Sequence, residues 1–186
     1  TSSRRQRQMC IRDRSELDEV KRVYTGWDIS SAQPEEESSQ SDVNAAMLHG
    51  IEQMVGRVKV FINNKFKLVR PLKKVHINYP ELGDFKASIF GHPEAITFPH
   101  HYPEISESLN LMHGEDTSFR FIFKLLRFFI EIKVLPKKTA ARILEWLETK
   151  DASSPKDMVN SLPGVYGLAE GFKNGVETAV AVSLNS

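Results

Sequence analysis

The stretch that decides the fold is RVKVFINNKFKLVRPLKKVHINYP, residues 57–80. Its first part, 58–62, places valine or isoleucine at every second position, which is the period of a half-buried strand. Asn63-Asn64 then predicts a tight turn, because asparagine tolerates a positive φ. A return strand begins at 66–68, and a third alternating run covers 75–79. The stretch therefore predicts a β-hairpin and a further strand, with a sheet at the centre of the fold.

The rest of the chain adds strands on both sides of this stretch and helices mainly after it. Strands are predicted at 16–30, 85–90, 95–98, 109–113 and 175–186, and helices at 43–55, 119–132, 139–150 and 155–162. The last strand has apolar or small residues on both faces, which predicts a position inside a sheet covered on both sides. We expect Gly164, Gly167 and Gly171 to serve as loop and strand-entry positions. The fold class predicted from these elements is α+β, a mixed twisted β-sheet covered by helices.

The first 14 residues differ in composition from the rest of the chain. They carry five arginines, one aspartate and the only cysteine, Cys10, and the string QRQMCIRDR resembles translated sequencing-adapter read-through. No apolar core follows them, which excludes a secretory signal, although an Arg-rich, acid-poor stretch is also compatible with a mitochondrial presequence. We treat residues 1–14 as a non-native tail. Removing its charges changes the formal net charge of the chain from +1 to −3.

Composition limits the classes of function. Apolar residues make up 40% of the chain and charged residues 26%, which is ordinary for a globular protein. A net charge of +1 gives no electrostatic argument for nucleic acid or an anionic membrane. No apolar run approaches the roughly 18–20 residues that cross a bilayer. We therefore expect a soluble cytoplasmic protein with neither nucleic acid nor a membrane as a partner.

The segment GHPEAITFPHHYP, residues 91–103, holds three of the six histidines. His100 and His101 are adjacent and would point to opposite faces of a strand, and no second cluster of metal ligands exists, so a metal site has little support. His92 and Glu94 lie two residues apart and face the same side of an extended segment. A histidine with a near-neutral pKa suits proton transfer, with a carboxylate to orient it. The alternative is that His92 is a structural or surface histidine.

Familiar catalytic motifs are absent, but the order of several stretches resembles one family. The sequence has no GxGxxG, HExxH, CxxC or GxSxG motif. VKRVYTGWDIS (20–30), AAMLHGIEQMVGRVKVF (45–61), GHPEAITFP (91–99) and AEGFKNGVETAVAVSLNS (169–186) together resemble the C-terminal, substrate-binding part of the saccharopine dehydrogenase-like NAD(P)-dependent oxidoreductases. In that family a His-Pro-Glu-like turn leads to a "TLP" strand end, which here is Thr97-Phe98-Pro99.

The resemblance implies a division of labour between two domains. An N-terminal Rossmann domain would bind NAD or NADP, and residues 15–186 would be a substrate-binding and dimerisation domain fragment, truncated at both ends. The implied reaction is hydride transfer at a secondary amine that links two amino-acid-like parts, in a homodimer. The implied catalytic residues are His92 and Glu94, and the implied substrate-binding residues are Arg57, Arg70 and His49.

Two other functions are compatible with the same residues. The first is a non-catalytic α+β binding or dimerisation module, in which the apolar helix 118–132 would be the contact face. The second is a metal hydrolase built on His92 and His100, which the spacing of the histidines supports only weakly.

Overall fold

The computed structural model describes residues 16–28, 45–113, 117–151 and 162–184. Within these ranges eight strands form one mixed sheet, and four helices accompany it. The strands are β1 Glu19–Asp28, β2 Val58–Ile62, β3 Phe66–Val69, β4 Lys74–Tyr79, β5 Gly83–Phe90, β6 Glu107–His113, β7 Val165–Lys173 and β8 Val176–Leu184. The helices are α1 Ala45–Met54, α2 Glu94–His101, α3 Thr117–Glu131 and α4 Lys137–Asp151. The predicted α+β class is therefore confirmed.

Strand β6 is the centre of the sheet. One of its edges pairs with β1 in parallel, and β7 and β8 continue the sheet beyond β1. Its other edge is shared by two hairpins, because β2 pairs with its first residues and β5 pairs with its later ones. The hairpin β4–β5 curls over the sheet, since the rings of Tyr79 on β4 and Tyr166 on β7 lie 5.5 Å apart.

The inner face of this curled sheet is apolar. Tyr166 fills its middle and is fully buried. Gly26 on β1 leaves the space for that ring, because a Cβ at position 26 would overlap it. The buried side chains that share this core come from β1, β2, β4–β7 and the segment before β7: Tyr24, Val58, Val60, Ile77, Tyr79, Ala87, Ile89, Leu109, Leu111, Leu162, Tyr166 and Leu168.

Two further apolar clusters attach the helices. The first joins α1, α3 and α4 to the ends of β5 and β6 through Phe90 and Met112. The second seats α2 against β1 and β7, with Phe98 packed among Val20, Val23 and Ala169. Burial of these apolar surfaces is the main stabilising term for the helical layer.

The strand predicted at 95–98 is wrong, because these residues belong to helix α2. Ile96, Thr97 and Phe98 are β-branched or aromatic, which favours a strand locally. In the folded chain Ala95 and Phe98 are buried with helical spacing, and a hydrogen bond from a distant strand holds the first turn. Tertiary contacts therefore override the local propensity. His100 and His101 occupy the last turn of this helix rather than the exit of a strand.

Two expectations about the end of the chain are also wrong within the described residues. Strand β8 lies at an edge of the described sheet and pairs there only with β7, rather than inside the sheet. Its two faces are partly covered, since Ala179 and Ala181 pack against one core cluster and Val180 against another. Gly167 and Gly171 lie inside β7 rather than in a loop. Gly171 is needed there because the backbone of Glu19 approaches too closely for a Cβ, beside the irregular pairing at Val20.

Other predictions hold or cannot be assessed. Asn63 and Asn64 form the predicted turn with φ of 56° and 58°. The predicted helices at 119–132 and 139–150 correspond to α3 and α4. The helix predicted at 155–162 and the tail 1–14 lie outside the described residues, except for Leu162, which is in no helix.

Two glycine-to-alanine substitutions should have opposite effects on stability. Gly26→Ala should lower the free energy of unfolding by about 1–3 kcal/mol, because its methyl group meets the Tyr166 ring. Gly50→Ala in α1 should raise it by about 0.5–1 kcal/mol, because the site is open and alanine favours a helix. Urea unfolding measures both. Equal effects at the two positions would contradict the close approach of Tyr166 to β1.

Candidate functional site

A buried hydrogen-bond chain links β1, β6 and α2. The Asn110 side chain on β6 accepts a hydrogen bond from the Ala95 backbone N–H at 2.8 Å through its Oδ1. Its Nδ2 donates to the Thr25 Oγ1 on β1. Asn110 and Thr25 are both almost fully buried, and a buried amide costs free energy unless it is paired. Asn110 therefore fixes where helix α2 begins against the sheet.

Glu94 lies at this fixed helix start. Pro93 precedes it with helical dihedral angles (φ −61°, ψ −29°), and Glu94 is the acidic residue of the first turn, where the helix dipole favours a carboxylate. The Glu94 side chain is only 2% exposed. Its Oε2 contacts Nδ1 of His92, while its Oε1 is buried and has no hydrogen-bond partner among the described residues. The predicted pair of His92 and Glu94 is thus in contact.

His92 is a largely buried imidazole. Burial lowers its pKa to about 4, and the nearby His49 contributes to the lowering. The ring is therefore neutral at neutral pH. Its ring centroid lies 5.9 Å from that of Trp27, which in turn packs edge-on against Phe90 at 4.9 Å. Trp27, backed by Phe90, thus lies against one side of the His92 ring in the His92–Glu94 pair.

Helix α1 brings a second histidine to the site. His49 lies close enough to His92 to influence its pKa, and its Nε2 lies 2.6 Å from Nε2 of Gln53, one turn further along the helix. Gly91 allows this approach, because a Cβ there would lie 3.0 Å from the Gln53 carbonyl oxygen and 2.6 Å from Val58 Cγ1. His92 and Glu94 are therefore in contact, and the exposed His49 lies near enough to act on the pKa of His92.

The two predicted arginines lie in a different environment. Arg57 and Arg70 are exposed, and no hydrogen bond or ion pair among the described residues links either of them to His92 or Glu94. Arg70 instead lies near Glu131, whose carboxyl pKa is lowered mainly by a hydrogen bond from Arg127 and to a smaller extent by Arg70. Substrate binding by Arg57 and Arg70 therefore stays a prediction.

The histidines do not form a metal site within the described residues. His100 stacks near Phe66, with 5.4 Å between the ring centroids, at the far end of α2 from His92. No group of three His, Cys, Asp or Glu side chains in the described ranges is arranged to hold a metal ion. The geometry gives no support to a metal hydrolase built on His92 and His100.

Several residues of the site were not predicted from the sequence. These residues are Asn110, Thr25 and Gln53, polar side chains on elements that bury mainly apolar residues. The visible signal was Asn110, a lone amide inside the apolar run ESLNLMH. A buried amide in a strand needs a partner, but the sequence does not say that the partner is the first turn of a helix 15 residues earlier.

The group of this site that can accept a proton is the His92 imidazole. When Glu94 is ionised, Nδ1 of His92 donates to it, and the lone pair lies on Nε2, which is the arrangement of an oriented general base. The cavity resolved in the described part has a volume of about 10 Å³, enough for one water molecule, and is lined by Val20, Val23, Phe98, Tyr102, Glu104, Ile105 and Ala169. It does not include the His92–Glu94 pair.

Comparisons with known proteins give no independent guide to this site. A scan against protein-family models finds no match, and a search of curated proteins finds none either. Among the described residues, no helix is long and apolar enough to cross a membrane. The function must be argued from the side chains themselves.

Loss of the Asn110 side chain should destabilise the fold. Asn110→Ala leaves the Ala95 N–H buried without its acceptor, and we expect a loss of about 1–3 kcal/mol in the free energy of unfolding. Asn78→Ala, which removes an exposed hydrogen bond to Asp84, should change it by less than about 0.5 kcal/mol. Urea unfolding gives the free energies, and hydrogen exchange should show faster opening of α2 in Asn110→Ala alone. Similar losses in the two variants would contradict the role of Asn110.

The buried His92 should make stability depend on pH. Its folded pKa of about 4 lies below the ordinary value of 6.5, so the fold favours the neutral ring. This contribution is complete above pH 6.5 and is lost as the pH falls towards 4, by no more than about 3 kcal/mol. His92→Gln should lose less stability than the wild type between pH 7 and about pH 4.5 in urea unfolding. Parallel pH profiles of the two proteins would show that His92 is not the source.

Proposed function

We propose that this chain is the substrate-binding part of an NAD(P)-dependent oxidoreductase similar to saccharopine dehydrogenases, acting on a secondary amine of an amino-acid conjugate. The observation that carries the proposal is the contact between the buried Glu94 carboxyl and Nδ1 of a neutral His92. The family resemblance of residues 20–30, 45–61 and 91–99 supplies the reaction class. The homodimer that the resemblance implies is part of the same proposal.

The described residues do not fit the cofactor itself. A dinucleotide is held at a glycine-rich turn between a strand and a helix, and the sequence contains no GxGxxG motif. The proposal therefore assigns NAD or NADP to a separate nicotinamide-binding domain, where it would exchange hydride with the substrate. The part played by this chain is binding and proton transfer.

His92 has the geometry that the proton transfer requires, while its pKa of about 4 makes it a weaker base than an ordinary imidazole. A secondary amine is protonated at neutral pH and must lose that proton before its neighbouring carbon can give up hydride. A neutral imidazole with Nδ1 held by Glu94 presents a lone pair on Nε2, and such a base contributes about 10²–10⁴-fold to a rate. His49 and Gln53 lie beside it and are suited to hydrogen bonding with polar parts of the substrate.

Binding of the substrate carboxylates has less support than the proton transfer. Arginine binds carboxylates through paired hydrogen bonds, which is why the resemblance implied Arg57 and Arg70. Both are exposed and stand apart from His92 in the described interactions. The proposal therefore rests on His92, Glu94 and His49, and it assigns no pocket position to either arginine.

The test is an oxidation assay in which the chain is fused to a nicotinamide-binding domain. Saccharopine and other carboxylated secondary amines are the substrates, and NAD(P)H absorbance is the readout. His92→Gln should lower kcat by about 100-fold or more, because the base is lost. His76→Gln, on the exposed side of β4, is the matched control and should leave kcat unchanged. If the wild type is active and the His92→Gln variant has the same kcat, His92 is not part of the mechanism.

A second candidate function is a non-catalytic binding module. The observation that favours it is the outward face of α3, where four large apolar side chains are exposed: Phe121, Leu125, Phe128 and Ile132. A complete absence of turnover with every carboxylated amine, together with a partner bound through this face, would favour the second candidate over the first.

A further inference from the structure

Helix α3 carries apolar stripes on two opposite sides. Phe123, Leu126 and Ile130 are buried against α1 and α4 and form the inner stripe. The outer stripe, defined as Phe121, Leu125, Phe128 and Ile132, has exposures of 67%, 45%, 55% and 48%. At 100° per residue the centres of the two stripes lie on opposite sides of the helix axis. A solvated helix has a polar outer face, so the outer stripe needs another explanation.

The surroundings of the outer stripe are cationic. Residues 121–138 contain five basic side chains and one acid, Glu131. Lys124 and Lys133 are exposed beside the stripe. Glu131 is already engaged, because its Oε1 accepts hydrogen bonds from Arg127 and from the Gly56 backbone N–H. Glu131 thus balances Arg127, and Glu52 balances Lys137, so the positive charge at the border of the stripe comes from the exposed Lys124 and Lys133.

This border continues onto the neighbouring loops. Arg127 donates to the Pro71 carbonyl oxygen at 3.2 Å and so ties α3 to the turn that follows β3. That contact places the exposed Arg70 near the C-terminal end of α3, where it acts on Glu131. Arg57 follows Gly56 on the same side and is also exposed. The outer stripe, Lys124 and Lys133 thus form one exposed surface, and Arg57 and Arg70 lie on the flank of α3 that carries Arg127 and Glu131.

We propose that this surface docks onto an anionic lipid bilayer, with α3 lying parallel to the membrane plane. Phenylalanine, leucine and isoleucine side chains on one face, bordered by lysine and arginine, are the features of a helix that rests in the lipid headgroup region. The basic border supplies charge complementarity to anionic headgroups. The stripe spans about 16 Å along the helix, at 1.5 Å per residue. Val134, in the loop after α3, is a further exposed apolar residue, 68% exposed.

Such docking needs no membrane-spanning segment. The lack of a membrane-spanning run and the net charge of the whole chain predicted that the chain has no membrane partner. Docking of α3 onto a bilayer differs from that prediction. The local charge around α3 matters more, because screening limits electrostatic attraction to about 10 Å at 0.1 M salt. The inference does not depend on the proposed oxidoreductase function.

The first experiment asks whether the outer stripe enters the lipid. Phe128→Trp places a fluorophore in the stripe, and Phe66→Trp places one on the exposed edge strand β3 as the matched control. The vesicles contain phosphatidylcholine and about 30% phosphatidylserine, with bromine on the acyl chains as the quencher. The native Trp27 and Trp146 give a background that is subtracted from both variants. The added tryptophan should be quenched in Phe128→Trp and should not be quenched in Phe66→Trp. Equal quenching at the two positions would overturn the proposal.

The second experiment measures binding by vesicle co-sedimentation. The double variant Phe121→Ser, Phe128→Ser should reduce binding to phosphatidylserine-containing vesicles by about tenfold or more, whereas Leu68→Ser on β3 should not. Lys124→Glu with Lys133→Glu should also weaken binding, whereas Lys86→Glu with Lys173→Glu should not. Every protein keeps the Arg-rich residues 1–14, so their contribution is common to all. Circular dichroism confirms that each variant is folded.

The competing occupant of the stripe is a second copy of the chain. Light scattering during size exclusion decides between the two. A wild-type dimer that Phe121→Ser, Phe128→Ser converts to a monomer would overturn the bilayer proposal, since the stripe would then be a self-interface. An oligomeric state that is the same in wild type and double variant, with vesicle binding lost only in the double variant, supports it.

Discussion

The buried hydrogen bonds of Asn110 are the constraint on which the arrangement of this protein depends. Asn110 lies on β6, the strand that carries β1 on one edge and two hairpins on the other. Its side chain joins Thr25 on one neighbour and the first turn of α2 across the face of the sheet. In a low-dielectric interior such bonds are strong, and an unpaired amide there is costly. The position of α2, and of everything attached to its first turn, follows from this one side chain.

The His92–Glu94 pair is the main consequence of that constraint. Glu94 is buried because the helix start is buried, and it meets His92 because Pro93 fixes the turn between them. The same burial keeps the His92 ring neutral. A site of this kind lowers the free energy of unfolding when its buried titratable groups become charged. The proposed proton transfer would make use of such groups.

Helix α3 shows the opposite situation, because its exposed residues are apolar. The inner stripe is sufficient to attach the helix to α1 and α4. The outer stripe adds nothing to the stability of the fold as described, and it exposes large side chains bordered by Lys124 and Lys133. Contiguous exposed apolar patches mark interaction surfaces in many proteins. The molecule thus has a buried polar site on one helix and an exposed apolar surface on another.

The sequence by itself determined the elements with a clear local period. The hairpin at Asn63 and Asn64, the strands before it and after it, and helices α3 and α4 were predicted, because side-chain periods of 2 and 3.6 report local burial directly. His92 and Glu94 were also identified as a pair. Only the tertiary structure decided the rest. Helix α2 replaces a predicted strand because Asn110 caps it from another element, and β8 lies at an edge because pairing order is not written in a strand's own residues. His49 lies near enough to His92 to lower its pKa because α1 packs beside Gly91, and no local pattern encodes how distant elements pack.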